Sequence, residues 1–316
     1  MRVFRTLPES ASSPVALTIG NFDGVHLGHQ AMLARLIEAG RELRLPPCVM
    51  TFEPHPREFF APDKAPTRLT SLREKLELLA QAGVERAYVR RFNFEFAKTA
   101  PEDFIDRILH RGLAARWILV GDDFRFGARR GGDLAMLKQS AGRCGFEVHA
   151  MASVVADGVR VSSTAVREAL AAGDMQRAER LLGRPYSISG RVVSGDRLGR
   201  KLGFPTANIL MKHNRPALAG IFAVEVLGLG EPLHGAASLG VRPTVTNIPQ
   251  PRLEVHLLDF SRDIYGAHLQ VNFLHKLRDE EKYADVETLK RAIATDVKNT
   301  RGYFAALARN SLAQHG

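Results

Sequence analysis

The feature that most constrains the fold is a change of rhythm at residues 183–185. Before it, apolar runs typical of strands alternate with amphipathic runs typical of helices. After it, short apolar runs separated by glycine and proline turns follow one another until a single long helical run ends the chain. Alternating strands and helices predict a parallel sheet covered on both faces, whereas consecutive short strands predict an antiparallel barrel. The sequence therefore predicts two domains, 1–184 and 185–316.

Within these domains, periodicity and end signals predict the individual elements. Capping boxes beginning at Ser71 and Thr99 predict two helix starts, and Gly112 and Gly183 are expected to end helices. The predicted strands of the first domain are 15–19, 48–52, 87–89, 117–120 and 146–150. Those of the second domain are 188–193, 222–227, 233–239, 253–260 and 269–273, followed by a helix over 286–309. The expected fold is a Rossmann-like parallel α/β domain and an antiparallel β-barrel with a terminal helix.

Charge and cysteine content limit the partners and the compartment. The 44 Lys and Arg residues against 34 Asp and Glu residues give a net charge of +10, which suits nucleotides, nucleic acid or an anionic surface. No apolar run is long enough to cross a bilayer, and the N-terminus lacks the apolar segment of a signal peptide. Cys48 and Cys144 are far apart, so neither a disulfide scaffold nor a cysteine zinc site is expected. The sequence predicts a cytoplasmic protein that binds no membrane.

Polar segments follow four of the predicted elements of the first domain. They are residues 20–29, 51–56, 121–127 and 162–167. The carboxyl ends of parallel strands meet at one edge of a sheet, where ligands bind. We therefore expect these segments to converge on a single site.

The segment His26-Leu27-Gly28-His29 has the composition of a phosphate-binding helix start. Free backbone N–H groups at a helix N-terminus attract anions, Gly28 permits close approach, and two histidines three residues apart can face the same way. Imidazoles there could stabilise charge that develops on an α-phosphate during attack. The alternatives are surface polarity, or a zinc site together with His55. The sequence contains no P-loop signature.

The second domain carries two candidate features. Gly195, Gly199 and Gly203 punctuate a loop whose N–H groups could bind phosphate. Thr206 and Asn208, two residues apart, would present neutral oxygens suited to Mg²⁺. Alternation in the strand at 253–260 places Glu254 on the polar face, where a carboxylate could remove a proton from an alcohol acceptor. The alternative for Glu254 is an ordinary solvent-facing position.

The motifs of the first half resemble those of one family. GNFDGVHLGH, TFEPHP, GDDFRFG and SSTAVR occur in the order seen in the N-terminal module of bacterial riboflavin kinase/FMN adenylyltransferases (FAD synthetases), which is similar to the wider H-x-G-H nucleotidyltransferase group. The resemblance implies ATP contacts from Asn21, His26, Gly28, His29, Ser162, Ser163, Thr164 and Arg167. It implies a flavin pocket that includes Phe60, Asp123 and Phe126. The run Ser162-Ser163-Thr164 could alternatively serve only as a helix cap.

The motifs of the second half resemble the riboflavin kinase module of the same family. GRVVSGDRLGRKLGFPTAN, GIFAVEV, GAASLGVRPT, LEVHLLDF, IYG and LRDEEKY occur in the family order. The resemblance implies that Thr206 and Asn208 bind Mg²⁺ and nucleotide phosphates, that Glu254 is the base, and that Arg278 helps to hold the flavin. Val245 and Tyr283 depart from the family pattern at two positions where aromatic packing is usual.

Together these observations predict a bifunctional transferase. ATP would phosphorylate riboflavin to FMN and then adenylylate FMN to FAD, with Mg²⁺ as the metal. No nucleic acid is expected as a partner, client flavoproteins are left open, and the sequence does not determine the oligomeric state. Two rival interpretations are a nucleic-acid-binding protein, suggested by the net charge of +10, and a nucleotidyltransferase with another acceptor and a passive second domain.

Overall fold

The computed structural model describes residues 1–11, 13–195, 198–212, 215–242 and 250–313. By packing, the chain divides into two compact units. The first comprises Met1–Pro66 and Leu72–Ser163, and the second comprises Thr67–Ser71 and Thr164–Gly316. Residues 164–184, assigned to the first domain from sequence, thus pack with the second unit. Val245 lies outside the described residues.

The first unit is built on a parallel sheet. Its strands and two short ribbons are β1 (Arg2–Phe4), β2 (Val15–Ile19), β3 (Pro47–Glu53), β4 (Arg86–Arg91), β5 (Ala115–Gly121), β6 (Arg125–Phe126), β7 (Gly132–Asp133), β8 (Glu147–Met151), β9 (Val155–Ala156) and β10 (Val159–Arg160). The sheet order is β1-β4-β3-β2-β5-β8, and β6–β7 and β9–β10 form separate antiparallel pairs. All the strands predicted for this region are confirmed. The edge strand β1 was missed because three residues carry no readable period.

Helices cover both faces of this sheet. They are α1 (Leu27–Leu43), α2 (Pro56–Phe60), α3 (Leu72–Gln81), α4 (Phe94–Ala97), α5 (Pro101–Asp103), the π-helix Phe104–Gly112 and α6 (Leu134–Cys144), with 3₁₀ turns at Pro62–Lys64 and Ala128–Arg130. The capping box predicted at Thr99 is wrong. Ala100 occupies the N-cap position without a side-chain bond, because Pro101 begins the helix and its ring needs no N–H partner.

The alternating side chains of β2 explain the two-sided core. Val15, Leu17 and Ile19 pack on one face with side chains of the π-helix and α6. Ala16 packs on the other face with leucines of α1 and α3. Because both faces are buried, the strands are apolar almost throughout, as a parallel sheet requires.

The second unit is a closed antiparallel barrel with helices outside. Its elements are α7 (Ser163–Ala171), α8 (Met175–Leu182), β11 (Tyr186–Val193), α9 (Leu198–Leu202), β12 (Ala207–Leu210), β13 (Gly220–Leu227), β14 (Leu233–Arg242), β15 (Gln250–Leu257), β16 (His268–Arg278) and α10 (Val286–Ala313). The barrel order is β11-β12-β15-β14-β13-β16. Every strand predicted for this half is present. The predicted strand 253–260 ends at Leu257, because the chain turns at Asp259 with a left-handed φ of 53°.

Two aromatic stacks join the terminal helix to the barrel. Phe304 lies parallel to the His234 ring with centroids 3.6 Å apart, and Tyr303 stacks on His275.

Predicted helix ends are also confirmed at α8, where Asp174 caps the start and Gly183 ends it in the left-handed conformation. None of the described helices, α10 included, is long and apolar enough to cross a membrane.

Candidate active sites

The start of α1 brings the two histidines together. His26 is the N-cap residue, and its Nδ1 accepts a bond from the backbone N–H of His29 at 3.3 Å. The two rings stack with centroids 3.7 Å apart and an interplanar angle of 16°. A Cβ at position 28 would lie 3.2 Å from the His26 ring, so Gly28 allows the ring to fold over the helix start. The expectation that both histidines face the same way is confirmed.

The loop that leads into this helix has a constrained backbone. Phe22 and Val25 have φ values of 49° and 40°, and both side chains are buried. A left-handed conformation is unusual for a β-branched or bulky residue and persists only where surrounding packing enforces it. Phe22 supplies that packing, since its ring contacts His29 at a centroid distance of 5.0 Å. The loop therefore holds the histidines in a fixed arrangement.

Direct contacts confirm the predicted convergence for three of the four polar segments, 20–29, 51–56 and 162–167. The order β3-β2-β5 places the carboxyl ends of these strands side by side. Thr51 lies in the second half of β3, and its hydroxyl donates to the Asn21 carbonyl at 3.2 Å. The Ser163 hydroxyl donates to the Asp23 carbonyl at 2.9 Å. Three of the sequence motifs thus meet beside His26.

Two polar atoms at this edge have no hydrogen-bond partner among the described residues. They are Asn21 Oδ1 and His29 Nδ1, both buried. Burial lowers the pKa of His29 well below its ordinary value of 6.5, and the charges of His26 and Lys75 lower it further. His29 is therefore neutral near pH 7 and can donate a hydrogen bond without carrying charge. Lys75 is buried close by and brings a positive charge that no sequence motif signalled.

The residues assigned to the flavin occupy different environments. Phe60 is 67% exposed and forms an edge-on cluster with Phe59 and Phe92. Asp123 forms an exposed ion pair with Arg160 at 2.9 Å. Phe126 is buried and packs against the core, so its side chain is engaged within the fold. Flavin contact by Phe60, Asp123 and Phe126 stays a prediction.

The exposed phenylalanine Phe94 was missed by sequence analysis. Its ring is 75% exposed and contacts Phe59 with centroids 4.7 Å apart. Phe60 and Phe94 thus expose two large aromatic rings on either side of Phe59.

The remaining residues assigned to ATP lie at α7. Ser163 opens the helix, Thr164 is exposed, and Ser162 is half-buried. The Arg167 Nε donates to the Thr67 carbonyl at 2.6 Å within the second unit. ATP contact by these residues stays a prediction.

His55 does not join the other histidines in a metal site. Its Nδ1 accepts from the backbone N–H of Arg57 at 3.1 Å, and Glu58 completes a capping box for α2. No cluster of three or more His, Cys, Asp or Glu side chains that could hold a metal occurs among the described residues. The alternative of a histidine zinc site therefore finds no support in the part of the chain described.

On the barrel, strand pairing places three predicted residues together. Asn208 on β12 lies directly opposite Glu254 on β15. The Thr206 hydroxyl donates to Glu254 Oε2 at 3.5 Å, and Arg252 pairs with Oε1 at 3.3 Å. Leu253, next to Glu254, is fully buried, as the alternation predicts. Hydroxyl, amide and carboxylate oxygens thus share one face of the barrel wall.

The segment before β12 is fixed by a residue that sequence analysis did not assign. His256 Nδ1 lies 2.8 Å from the Pro205 carbonyl, and because a carbonyl can only accept, Nδ1 carries the proton. The Phe204 ring packs edge-on against the His256 ring. His256 thereby positions the backbone that carries Thr206.

The three predicted phosphate-loop glycines have distinct structural roles. A Cβ on Gly195 would lie 2.4 Å from the Asn208 amide, and one on Gly199 would lie 2.4 Å from the Phe204 carbonyl. Gly199 lies inside the short helix α9 rather than in an open loop, and Gly203 ends that helix with a φ of 88°. The phosphate role of these glycines stays a prediction.

A cavity of about 390 Å³ opens beside Thr206. Its lining combines apolar side chains such as Val255 and Leu257 with the charged side chains of Arg200 and Arg262. A cavity of this size, lined by apolar and polar groups together, is typical of a small-molecule site.

Arg278, predicted to hold the flavin, is engaged elsewhere in the same unit. Its guanidinium donates to both carboxylate oxygens of Asp296 at 2.8 and 2.6 Å, and it lies 5.8 Å from the Tyr283 ring. This contact joins β16 to α10 and raises the pKa of Arg278. A flavin contact by Arg278 stays a prediction.

A parallel α/β unit and a closed antiparallel barrel, each with polar groups gathered at one place, are the architecture expected of a two-domain transferase. The family model described as FAD synthetase matches residues 9–165, and the model described as riboflavin kinase matches residues 182–304. The chain belongs to the bifunctional riboflavin kinase/FMN adenylyltransferase family.

Curated relatives match over nearly the whole chain. The bifunctional riboflavin kinase/FMN adenylyltransferase of Escherichia coli (strain K12) is 49% identical over 305 residues, covering 96% of this chain and 97% of the relative. That of Pseudomonas fluorescens is 49% identical over 291 residues, covering 92% and 93%. A crystal structure from Streptococcus pneumoniae, described as a macrolide-efflux protein, is 29% identical and covers 95% of this chain and 98% of its own, with a TM-score of 0.80.

Proposed function

We propose that this chain makes both flavin coenzymes, using the barrel to phosphorylate riboflavin and the α/β unit to adenylylate FMN. The observation that carries the proposal is the presence of two complementary sites in one chain of this family. One is a donor-rich helix start at His26 and His29, and the other is a carboxylate at Glu254 among neutral oxygens. ADP leaves in the first reaction and pyrophosphate in the second.

In the adenylyl transfer, an oxygen of the FMN phosphate attacks the α-phosphorus of ATP. The phosphate oxygen is already anionic, so no base is needed. The N–H groups at the start of α1 and the His29 imidazole would stabilise charge that accumulates on the α-phosphate as pyrophosphate departs. The buried Lys75 would add positive charge on the same side. The unpartnered Asn21 Oδ1 would accept a bond from the substrate.

In the kinase reaction, the ribityl 5′-hydroxyl attacks the γ-phosphorus of ATP. That hydroxyl must lose a proton, which Glu254 would accept as the new P–O bond forms. Arg252 and Thr206 hold the carboxylate in place. The cavity beside Thr206 would receive the nucleoside of ATP, since its apolar lining residues suit a base and its polar ones suit a sugar.

We also propose that Mg²⁺ is bound at the barrel site by Thr206 Oγ1 and Asn208 Oδ1 together with nucleotide phosphates. Magnesium prefers hard oxygen ligands and is usually held by few protein groups plus phosphates. The neutral hydroxyl and amide oxygens beside Glu254 fit that preference. When bound, the metal would neutralise phosphate charge during transfer.

The direct test is to incubate the protein with riboflavin, ATP and MgCl₂ and to separate the flavins by chromatography. We expect FMN to appear first and FAD later, with ADP and pyrophosphate as the companion products. Absence of both flavin products over a range of pH and magnesium concentration would refute the proposal. Salt-sensitive binding of single-stranded DNA without flavin turnover would instead favour the nucleic-acid-binding alternative.

A second test addresses the domain assignment of 1–184 and 185–316. We propose that each fragment folds separately and keeps one activity, adenylyl transfer in the first and phosphorylation in the second. A fragment 164–316 provides the comparison, because α7 and α8 pack with the barrel unit. Should 185–316 be insoluble while 164–316 is active, the boundary would have to move to residue 163.

A further inference from the structure

A second cavity lies in the first unit and has no role in the proposed reactions. Its volume is about 560 Å³, within the range of small-molecule sites. The N-terminal segment, the end of β4, α4 and the π-helix form its walls. Its lining includes none of the residues assigned to ATP or flavin.

The cavity exists because the N-terminal segment packs against the π-helix. The Ala11 N–H donates to the Arg111 carbonyl at 2.9 Å. The Pro8 carbonyl lies 3.2 Å from the position of a Cβ on Gly112, so a glycine permits this approach. A π-helix nine residues long is rare, and π-turns occur frequently at functional sites. Its buried side chains, such as Phe104, face the core, which leaves Arg107 and Arg111 toward the cavity.

Four cationic side chains line the cavity, namely Arg90, Lys98, Arg107 and Arg111. Among the described residues none of them forms an ion pair, although Glu9, Glu95 and Asp103 line the same space. Arg90 is the most constrained of the four. Its guanidinium lies 5.3 Å from the Phe96 ring centre, and its Nε is buried without a hydrogen-bond partner in the described part of the chain. A buried donor without a partner is costly, so a bound acceptor would relieve that cost.

The mixture of charges indicates the chemistry of the ligand. Guanidinium groups bind phosphate oxygens through directed, charge-assisted bonds. Carboxylates only accept hydrogen bonds, so Glu95 and Asp103 suit the hydroxyl groups of a sugar. Both kinds of group line one space together with apolar side chains such as Ile108.

We propose that this cavity binds a phosphorylated, hydroxyl-bearing small molecule, of the sugar phosphate or mononucleotide class, at a site separate from both active sites. Arg90 and Arg107 bind the phosphate, and the carboxylates bind the sugar hydroxyls. The site does not depend on the proposed flavin reactions.

The test uses the full-length protein and isothermal titration calorimetry with three probes, ribose 5-phosphate, AMP and inorganic phosphate. We expect ribose 5-phosphate to bind, and Arg107→Ala and Arg90→Lys each to weaken binding by about tenfold or more. Arg41→Ala is the matched control, since Arg41 is an exposed arginine of α1 away from the cavity lining. Arg90→Lys keeps the charge and removes the Nε donor, and each variant is first shown to melt like the parent.

The probes distinguish the two possible ligand classes, a sugar phosphate and a mononucleotide. Binding of both ribose 5-phosphate and AMP with loss in Arg107→Ala supports a sugar phosphate site, and binding of AMP alone with the same loss supports a nucleotide site. The proposal is overturned if neither ribose 5-phosphate nor AMP binds. It is also overturned if Arg107→Ala leaves the binding of ribose 5-phosphate and AMP unchanged. It is equally overturned if inorganic phosphate binds as tightly as the sugar phosphate, because the carboxylates would then have no part.

Discussion

The helix start of the α/β unit and the wall of the barrel handle phosphate transfer with different residues. The first presents two stacked imidazoles, backbone N–H groups and a buried lysine, whereas the second presents a carboxylate held by an arginine and a hydroxyl. The protonation state of the acceptor explains this difference. A phosphate acceptor arrives ionised and needs only donors to stabilise the transition state, while an alcohol must lose a proton and needs a base.

The sharpest test of this comparison is removal of the carboxylate. Glu254→Gln preserves shape but cannot accept the proton, so riboflavin phosphorylation should fall by about 10²–10⁴-fold. FMN adenylylation should be unchanged, measured with FMN supplied directly. Glu225→Gln is the matched control, since Glu225 is on strand β13 of the same barrel and accepts a bond from Asn272. An equal loss of both reactions in a folded Glu254→Gln protein would contradict the two-site interpretation.

The reciprocal test removes a donor from the other site. His29→Ala should lower FAD formation from FMN by about 10²–10³-fold, because a transition-state hydrogen bond is lost. Kinase activity should persist, so FMN should accumulate when riboflavin is supplied, as followed by chromatography. His149→Ala serves as control, since His149 lies on the edge strand β8. The idea of a donor-only site fails if His29→Ala retains full adenylyl transfer.

A smaller effect is expected from a change that displaces a site residue indirectly. A methyl group on Gly195 would overlap the Asn208 amide, so Gly195→Ala should reduce kinase activity by about tenfold and leave adenylyl transfer unchanged. The control is Gly302→Ala in α10, where an added Cβ meets no atom within 4 Å. Equal kinase rates in these two variants would show that the Asn208 position does not matter.

The smallest effect concerns the pH dependence of stability in the α/β unit. The pKa of His29 is lowered in the folded state, so below pH 6.5 the unfolded chain binds the additional proton and the free energy of unfolding decreases. His29→Asn removes this term, and its stability should therefore fall less on acidification. The single tryptophan, Trp117, is buried in this unit, so its fluorescence during urea unfolding reports on the relevant transition. Parallel pH profiles for the two proteins would contradict the assigned cause.

Much of the fold could be predicted because its signals are local. The strands of the parallel sheet are short apolar runs, and the ends of α8 are set by Asp174 and Gly183. Strand β12 was missed because it has four residues and owes its place to pairing with β15. The sequence predicted an ordinary α-helix where the π-helix lies, because over two turns the apolar spacing of a π-helix differs little from that of an α-helix. The capping box at Thr99 failed because Pro101 shifted the helix start by one residue.

The sequence by itself determined which groups are available and which strand end or turn carries each of them. His26, Gly28 and His29 are adjacent along the chain, so their joint role at a helix start follows from local geometry. Only the tertiary structure decided that Asn208 lies opposite Glu254 and that Lys75 lies near His29. It also decided that Arg278 meets Asp296. The reason is physical: these contacts join residues far apart in the chain, and packing and strand register, which no local pattern encodes, bring them together.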